Sequence, residues 1–234
     1  MQIWGMQKVT YLDYPWKIAA LIFTVWCNMR CKYCYNSNLV LLQSIRANQH
    51  QHISEDDFFA YLEERKTLLD GVVICGWEPT LQNDLPSFIE KIKAIGYSVK
   101  LDTNGSNPAM LQHLLDKKLI DYVAMDIKDN FDTMTELTQS HIDLQWAIKE
   151  SIKILSNSDI AYEFRTTVSK PYHTKEKIES IASYLQGNKK YVLQNFFTTS
   201  TMIDPSFVAK SFTHAELHDF QNIANRYIPT SIRE

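Results

Sequence analysis

IAALIFTVWCNMRCKYC, residues 18–34, joins an eight-residue apolar run to three cysteines, Cys27, Cys31 and Cys34. A run this short and this apolar reads as a strand covered on both faces. Five further runs repeat the theme: VVIC (72–75), YSVKL (97–101), YVAMDI (122–127), IAYEFRTTV (160–168) and YVLQNF (191–196). Amphipathic stretches lie between them. Ser54 with Glu55, Asp56 and Asp57 opens one as an N-cap followed by early acids, and predicts a helix to about Leu69. Others are Leu85–Ile95, Pro108–Lys117, Leu144–Leu155, Thr174–Leu185 and Thr213–Tyr227. Strands alternating with helices predict an α/β fold with a parallel sheet, a partial (β/α)6 TIM-type barrel. Ligands of such sheets sit at the carboxyl ends of the strands, and the chain's motifs fall there.

With 234 residues, 45% apolar and 22% charged, the chain fits one soluble domain, 1–234. The expected plan is a cysteine loop at 27–34, a cofactor-binding core to about residue 196 and a helical segment over 205–234. A net charge of −3 leaves no basic footprint, so no nucleic-acid partner is expected. No apolar run is long enough to cross a bilayer, and the first residues lack the plan of a signal peptide. No membrane association is therefore expected, and the cytoplasm is the default location.

Four cysteines could form two disulfides, but three fall within eight residues and Cys75 stands apart. That spacing favours a metal site in a reducing compartment. Thiolates hold iron–sulfur clusters, and three ligands on a four-iron cluster leave one iron open. A structural zinc site needs four ligands, usually with paired C-x2-C; here His50 or His52 would have to complete it from a distance. Cys75 reads as a small buried apolar residue. His113, His173 and His214 read as solvated surface residues.

C-x3-C-x2-C with an aromatic before its last cysteine resembles the signature of the radical S-adenosylmethionine (SAM) superfamily. The resemblance implies a [4Fe–4S] cluster on Cys27, Cys31 and Cys34, with SAM chelated at the open iron and cleaved reductively to a 5′-deoxyadenosyl radical. It places Tyr33 near the adenine. Gly76-Trp77-Glu78-Pro79 resembles the Gly-Gly-Glu-Pro turn that receives the methionyl amino group. LDTNG (101–105) and D-x-K (126–128) look like segments of glycyl-radical-enzyme activating enzymes. By that likeness Asp102 and Asn104 contact the ribose or the methionyl end, Lys128 reaches the carboxylate, and Arg165 lies near SAM. A buried Arg in a strand needs a partner in any case.

The likeness extends along nearly the whole chain, through DYP-x-K, YCYN, EPTLQ, KLDTNGS, LIDYVAMDIK, EFRTTV and YVLQNF. It points to the activating proteins of anaerobic (class III) ribonucleotide reductase, which place a glycyl radical on a partner. The implied partners are that reductase and reduced flavodoxin or ferredoxin as electron donor. A radical SAM enzyme acting on a small molecule or another protein, such as a formate-lyase-type activase, is the alternative; a zinc-stabilised binding module is the reading from another class.

The chain departs from the family where glycine is expected: Trp16, Trp26 and Trp77 stand at such positions, as does Trp4. Either the chain is a remodelled member, or UGA codons that its cell reads as glycine have been rendered as tryptophan. Glycine-to-tryptophan at several motif positions is hard to reach by drift, so the second reading is preferred.

Overall fold

The computed structural model describes residues 1–34, 52–140, 144–197 and 208–233. Eight strands form one sheet in strictly sequential order. β1 (Ile3–Thr10) runs antiparallel to β2 (Ala19–Thr24). β3 (Gly71–Gly76), β4 (Ser98–Thr103), β5 (Tyr122–Asp126), β6 (Ala161–Val168), β7 (Tyr191–Asn195) and β8 (Thr230–Arg233) then follow in parallel. The connections carry α1 (Glu55–Glu64), α2 (Leu85–Ile95), α3 (Pro108–Asp116), α4 (Met134–Thr138), α5 (Gln145–Ser156), α6 (Lys175–Tyr184) and α7 (His214–Ala224). The six expected strands are β2 to β7, each within about two residues of its predicted span. β1, β8 and α4 are additions, and the result is a partial barrel of the expected class.

Alternation along the strands makes two cores. Ile22, Ile74, Leu101 and Val123 face outward onto Phe58, Phe88 and Ile152 of the helices. Leu21, Val73 and Ala124 face inward and pack with Tyr14 and Tyr122 in a smaller cluster. Each fully buried Leu, Ile or Phe contributes about 2 kcal/mol of transfer free energy. Small inward residues, such as Ala19 and Ala124, leave the interior room for a cavity.

Helix ends follow their caps. Ser54 accepts the Asp57 N–H at 3.0 Å, and Thr213 forms a capping box with Glu216. α1 stops five residues short of the expected Leu69. The Arg65 N–H returns to the Leu62 carbonyl, and Leu69 is buried from the turn that follows. The segment expected to be helical to the end is not: after α7 the Asn225 side chain accepts the Thr230 N–H at 2.8 Å and turns the chain into β8. Residues 205–207 of that segment, His50, and Tyr35 and Asn36 of YCYN lie outside the described residues. No described helix is long and apolar enough to cross a membrane.

Candidate active site

The cysteine loop leaves β2 through Val25 and Trp26 and is pinned from below by α4. Arg30 N–H donates to the Thr138 carbonyl at 2.7 Å and Lys32 N–H to Leu137 at 3.2 Å. The Arg30 guanidinium bridges the carbonyls of Cys27 (2.6 Å) and Met29 (2.8 Å). These bonds fix a loop that has no secondary structure of its own, and they set the three sulfurs on the wall of one cavity of about 290 Å3.

Residues at the carboxyl ends of five further strands complete that wall: Gly76 and Trp77 at the end of β3, Asp102 to Asn104 at the end of β4, Asp126 and Lys128 at the end of β5, Arg165 and Thr167 from β6, and Gln194 from β7. Tyr33, buried and edge-on to Phe196 at 6.4 Å, closes the side next to the cysteines. The Asn104 amide donates to Asn28 at 3.1 Å and lies 3.8 Å from the Cys27 sulfur.

A ladder of charge crosses the cavity. Arg165 donates to Asp102 at 3.0 Å and to Asp126 at 2.9 Å, and Lys128 donates to Asp126 at 2.8 Å. Lys100, behind it, pairs with Asp102. The partner that a strand-borne Arg requires is thus a pair of carboxylates. Burial alone would raise the Asp126 carboxyl, but Arg165 and Lys128 outweigh it and hold the group down at about 2. Burial likewise works against the cationic forms of Lys128 and Arg165, yet their carboxylate neighbours raise both well above their ordinary values.

Two expectations are corrected. The Glu78 carboxylate is fully buried and does not line the cavity. It accepts from Asn104 N–H (2.6 Å), Thr103 hydroxyl (2.7 Å) and Thr80 N–H (3.2 Å), and from the Thr80 hydroxyl. Its oxygens brace the end of β4. Pro79 is buried beside it and opens a short 3-10 turn, also off the wall. Gly76, at φ 121°, and Trp77 are the members of that turn that reach the cavity. His173, expected at the surface, is only 3% exposed. Its Nδ1 accepts the Ser169 N–H at 3.1 Å, so Nε2 carries the proton and donates to the Lys128 carbonyl at 3.1 Å.

Asp13, Thr167 and Gln194 line the cavity without having been singled out. The strand-end rule would have found Gln194 and Thr167; Asp13 comes from the turn between β1 and β2, which that rule does not cover. Cys75 is both things at once. It packs against the inner cluster as expected, and it also touches the cavity.

Three cysteines share one cavity wall, which suits a multi-iron cluster better than a single ion, since among the described residues no three or more His, Cys, Asp or Glu gather to hold one metal ion. Burial pushes Cys27 up to about 11 and Cys31 to about 12, so both stay protonated unless they are bound as thiolates to a metal cation. Cys27, Cys31 and Cys34 act electrostatically on one another, whereas Cys75 feels Asp102 and Arg165. The set is therefore three soft ligands on one loop, with Cys75 set apart.

A partial α/β barrel with a three-cysteine loop at its strand ends and a polar, charge-lined cavity suits a metal-cofactor enzyme. The chain belongs to the Radical SAM superfamily, whose family pattern matches residues 21–185. A protein of Methanocaldococcus jannaschii, named provisionally as a glycyl-radical enzyme activating enzyme, is 32% identical over 96% of this chain and 92% of its own. A radical SAM methyltransferase from Sphaerobacter thermophilus has the same fold, with a TM-score of 0.71 at 15% identity over 96% of this chain and 68% of that one. So does Streptococcus suis SuiB with S-adenosylmethionine bound, at a TM-score of 0.68 and 15% identity over 90% of this chain and 48% of that one. The cofactors of the family are a [4Fe–4S] cluster and SAM.

Proposed function

We propose that this radical SAM enzyme is an activase that installs a glycyl radical on a partner protein, and that the partner is an anaerobic ribonucleotide reductase. The observation that carries the reading is the match along nearly the whole chain to a protein named for that activity. The sheet adds support. Its order runs from β1 to β8 without closing, and an open flank suits a loop of another polypeptide.

In this reading Cys27, Cys31 and Cys34 hold three irons of the cluster. When bound, the cluster and SAM together supply an electron and a hydrogen-abstracting adenosyl radical. The protein's residues bind and orient. Lys128 and Arg165, with Asp102 and Asp126, present fixed charges of both signs to the zwitterionic end of SAM; Asn104 and the Gly76–Trp77 turn bound that end, and Tyr33 walls the adenine. Preorganised charge of this kind costs nothing to reorganise at the moment of reaction.

The test is anaerobic. Reconstituted protein, SAM and reduced flavodoxin or ferredoxin are mixed with a class III reductase, and EPR is recorded on the reductase. A glycyl-radical doublet supports the proposal. If a formate-lyase-type partner is activated and the reductase is not, the activase reading stands and the partner is wrong. Deoxyadenosine formed with neither partner activated would remove the activase reading.

A further inference from the structure

Among the described residues, four that are not glycine have left-handed φ: Trp16 (66°), Trp26 (73°), Lys118 (53°) and Gln139 (46°). Lys118 and Gln139 follow the ends of α3 and α4, where single left-handed residues routinely stop helices. The tryptophans have no such setting, and a bulky residue at positive φ is an outlier that needs a reason.

Position 16 lies in a turn closed by the Lys17 N–H on the Tyr14 carbonyl at 3.2 Å, with Pro15 at i+1. Proline followed by positive φ at i+2 is the type II arrangement, whose i+2 residue is glycine. The indole at 16 is 100% exposed, so no packing offsets the strain. Position 26 is constrained from outside itself. Its carbonyl accepts the Glu78 N–H at 3.0 Å just where the chain must swing from β2 into the cysteine loop. Its indole gains one rim hydrogen bond, to Gln2 at 3.2 Å. Composition agrees: the chain has 6 glycines in 234 residues, against roughly 7% in ordinary proteins.

We infer that positions 16 and 26 are glycine in the protein its own cell makes, encoded by UGA codons that the cell decodes as glycine. Position 77 has no left-handed φ and is not covered by the backbone argument; Trp77 is part of the cavity wall, beside Gly76, so a glycine there would enlarge the space open to cofactor. This inference concerns the residues themselves and stands whatever the partner is.

The deciding measurement is the codon at each position together with the mass of the peptides spanning 16 and 26 in protein isolated from the native cell. UGA codons with glycine masses are expected, and the unaltered gene should yield no full-length chain in a host that stops at UGA. UGG at either position, or an indole in either peptide, overturns the inference. The backbone argument has its own check in recoded protein. W16G and W26G should each raise the folded-to-unfolded ratio about fivefold or more, as relief of a left-handed strain predicts; an unchanged or lower ratio overturns the geometric ground.

Discussion

Gly76 and Gly105 are left-handed positions where a Cβ also has no room. At Gly76, with φ 121°, it would lie 2.4 Å from the Thr24 backbone nitrogen; at Gly105, with φ 73°, it would lie 2.0 Å from the Met125 methyl. Backbone cannot retreat as a side chain can, so Gly76→Ala is expected to lose about 3 kcal/mol or more in urea unfolding, and more than Gly105→Ala. Asp126 is shared by two cations, so Asp126→Asn leaves Arg165 and Lys128 short of a charge and should cost about 3 kcal/mol by the same measurement. The cysteines and Lys128 could be picked out because each sits in a motif just past a strand end, whereas Arg165 stood out as a charge inside a strand. Glu78 was legible as a motif residue but not in its role. Its partners Thr103 and Asn104 come from the next strand over, and only folding brings them within 2.7 Å.

Elements differ in how much they announce themselves. β2 to β7 and the longer helices carry clear periodicity and caps. α4 has five residues, too few for a period, yet its last carbonyls hold the cysteine loop. β1 is half exposed along its length, and β8 has four residues, three of them part-exposed, so neither gives a buried-strand signature. Since Arg30 ties the loop's own carbonyls together, Arg30→Met should release iron to a chelator several-fold faster while leaving the unfolding midpoint nearly unchanged. On the other side of the cavity His173 links the loop after β6 to the carbonyl of Lys128. His173→Phe removes both bonds from a buried site and should cost about 2 kcal/mol in urea unfolding, with a weaker affinity for SAM.

At the scale of the molecule, charge and order decide behaviour. Asp126 is held at about 2 when folded, and an unfolded aspartate titrates near 3.9. A depressed carboxyl contributes stability that is fully present above about pH 4 and is lost as pH falls through about 2, some ~2 kcal/mol in all. Urea midpoints taken from about pH 5 down to pH 2 should show that loss, and Asp126→Asn should flatten it. The α/β class was legible because buried parallel strands read as apolar runs; the edges were not, because an edge strand need bury only one face. The sequential order of the sheet also bears on synthesis. Each strand pairs with the one made just before it, so the sheet can grow like a fan as the chain leaves the ribosome. The cysteine loop at 27–34 is made long before Arg165 and Gln194 wall it in. Iron can therefore reach the thiols from open solvent on the nascent chain, before the cavity closes around them.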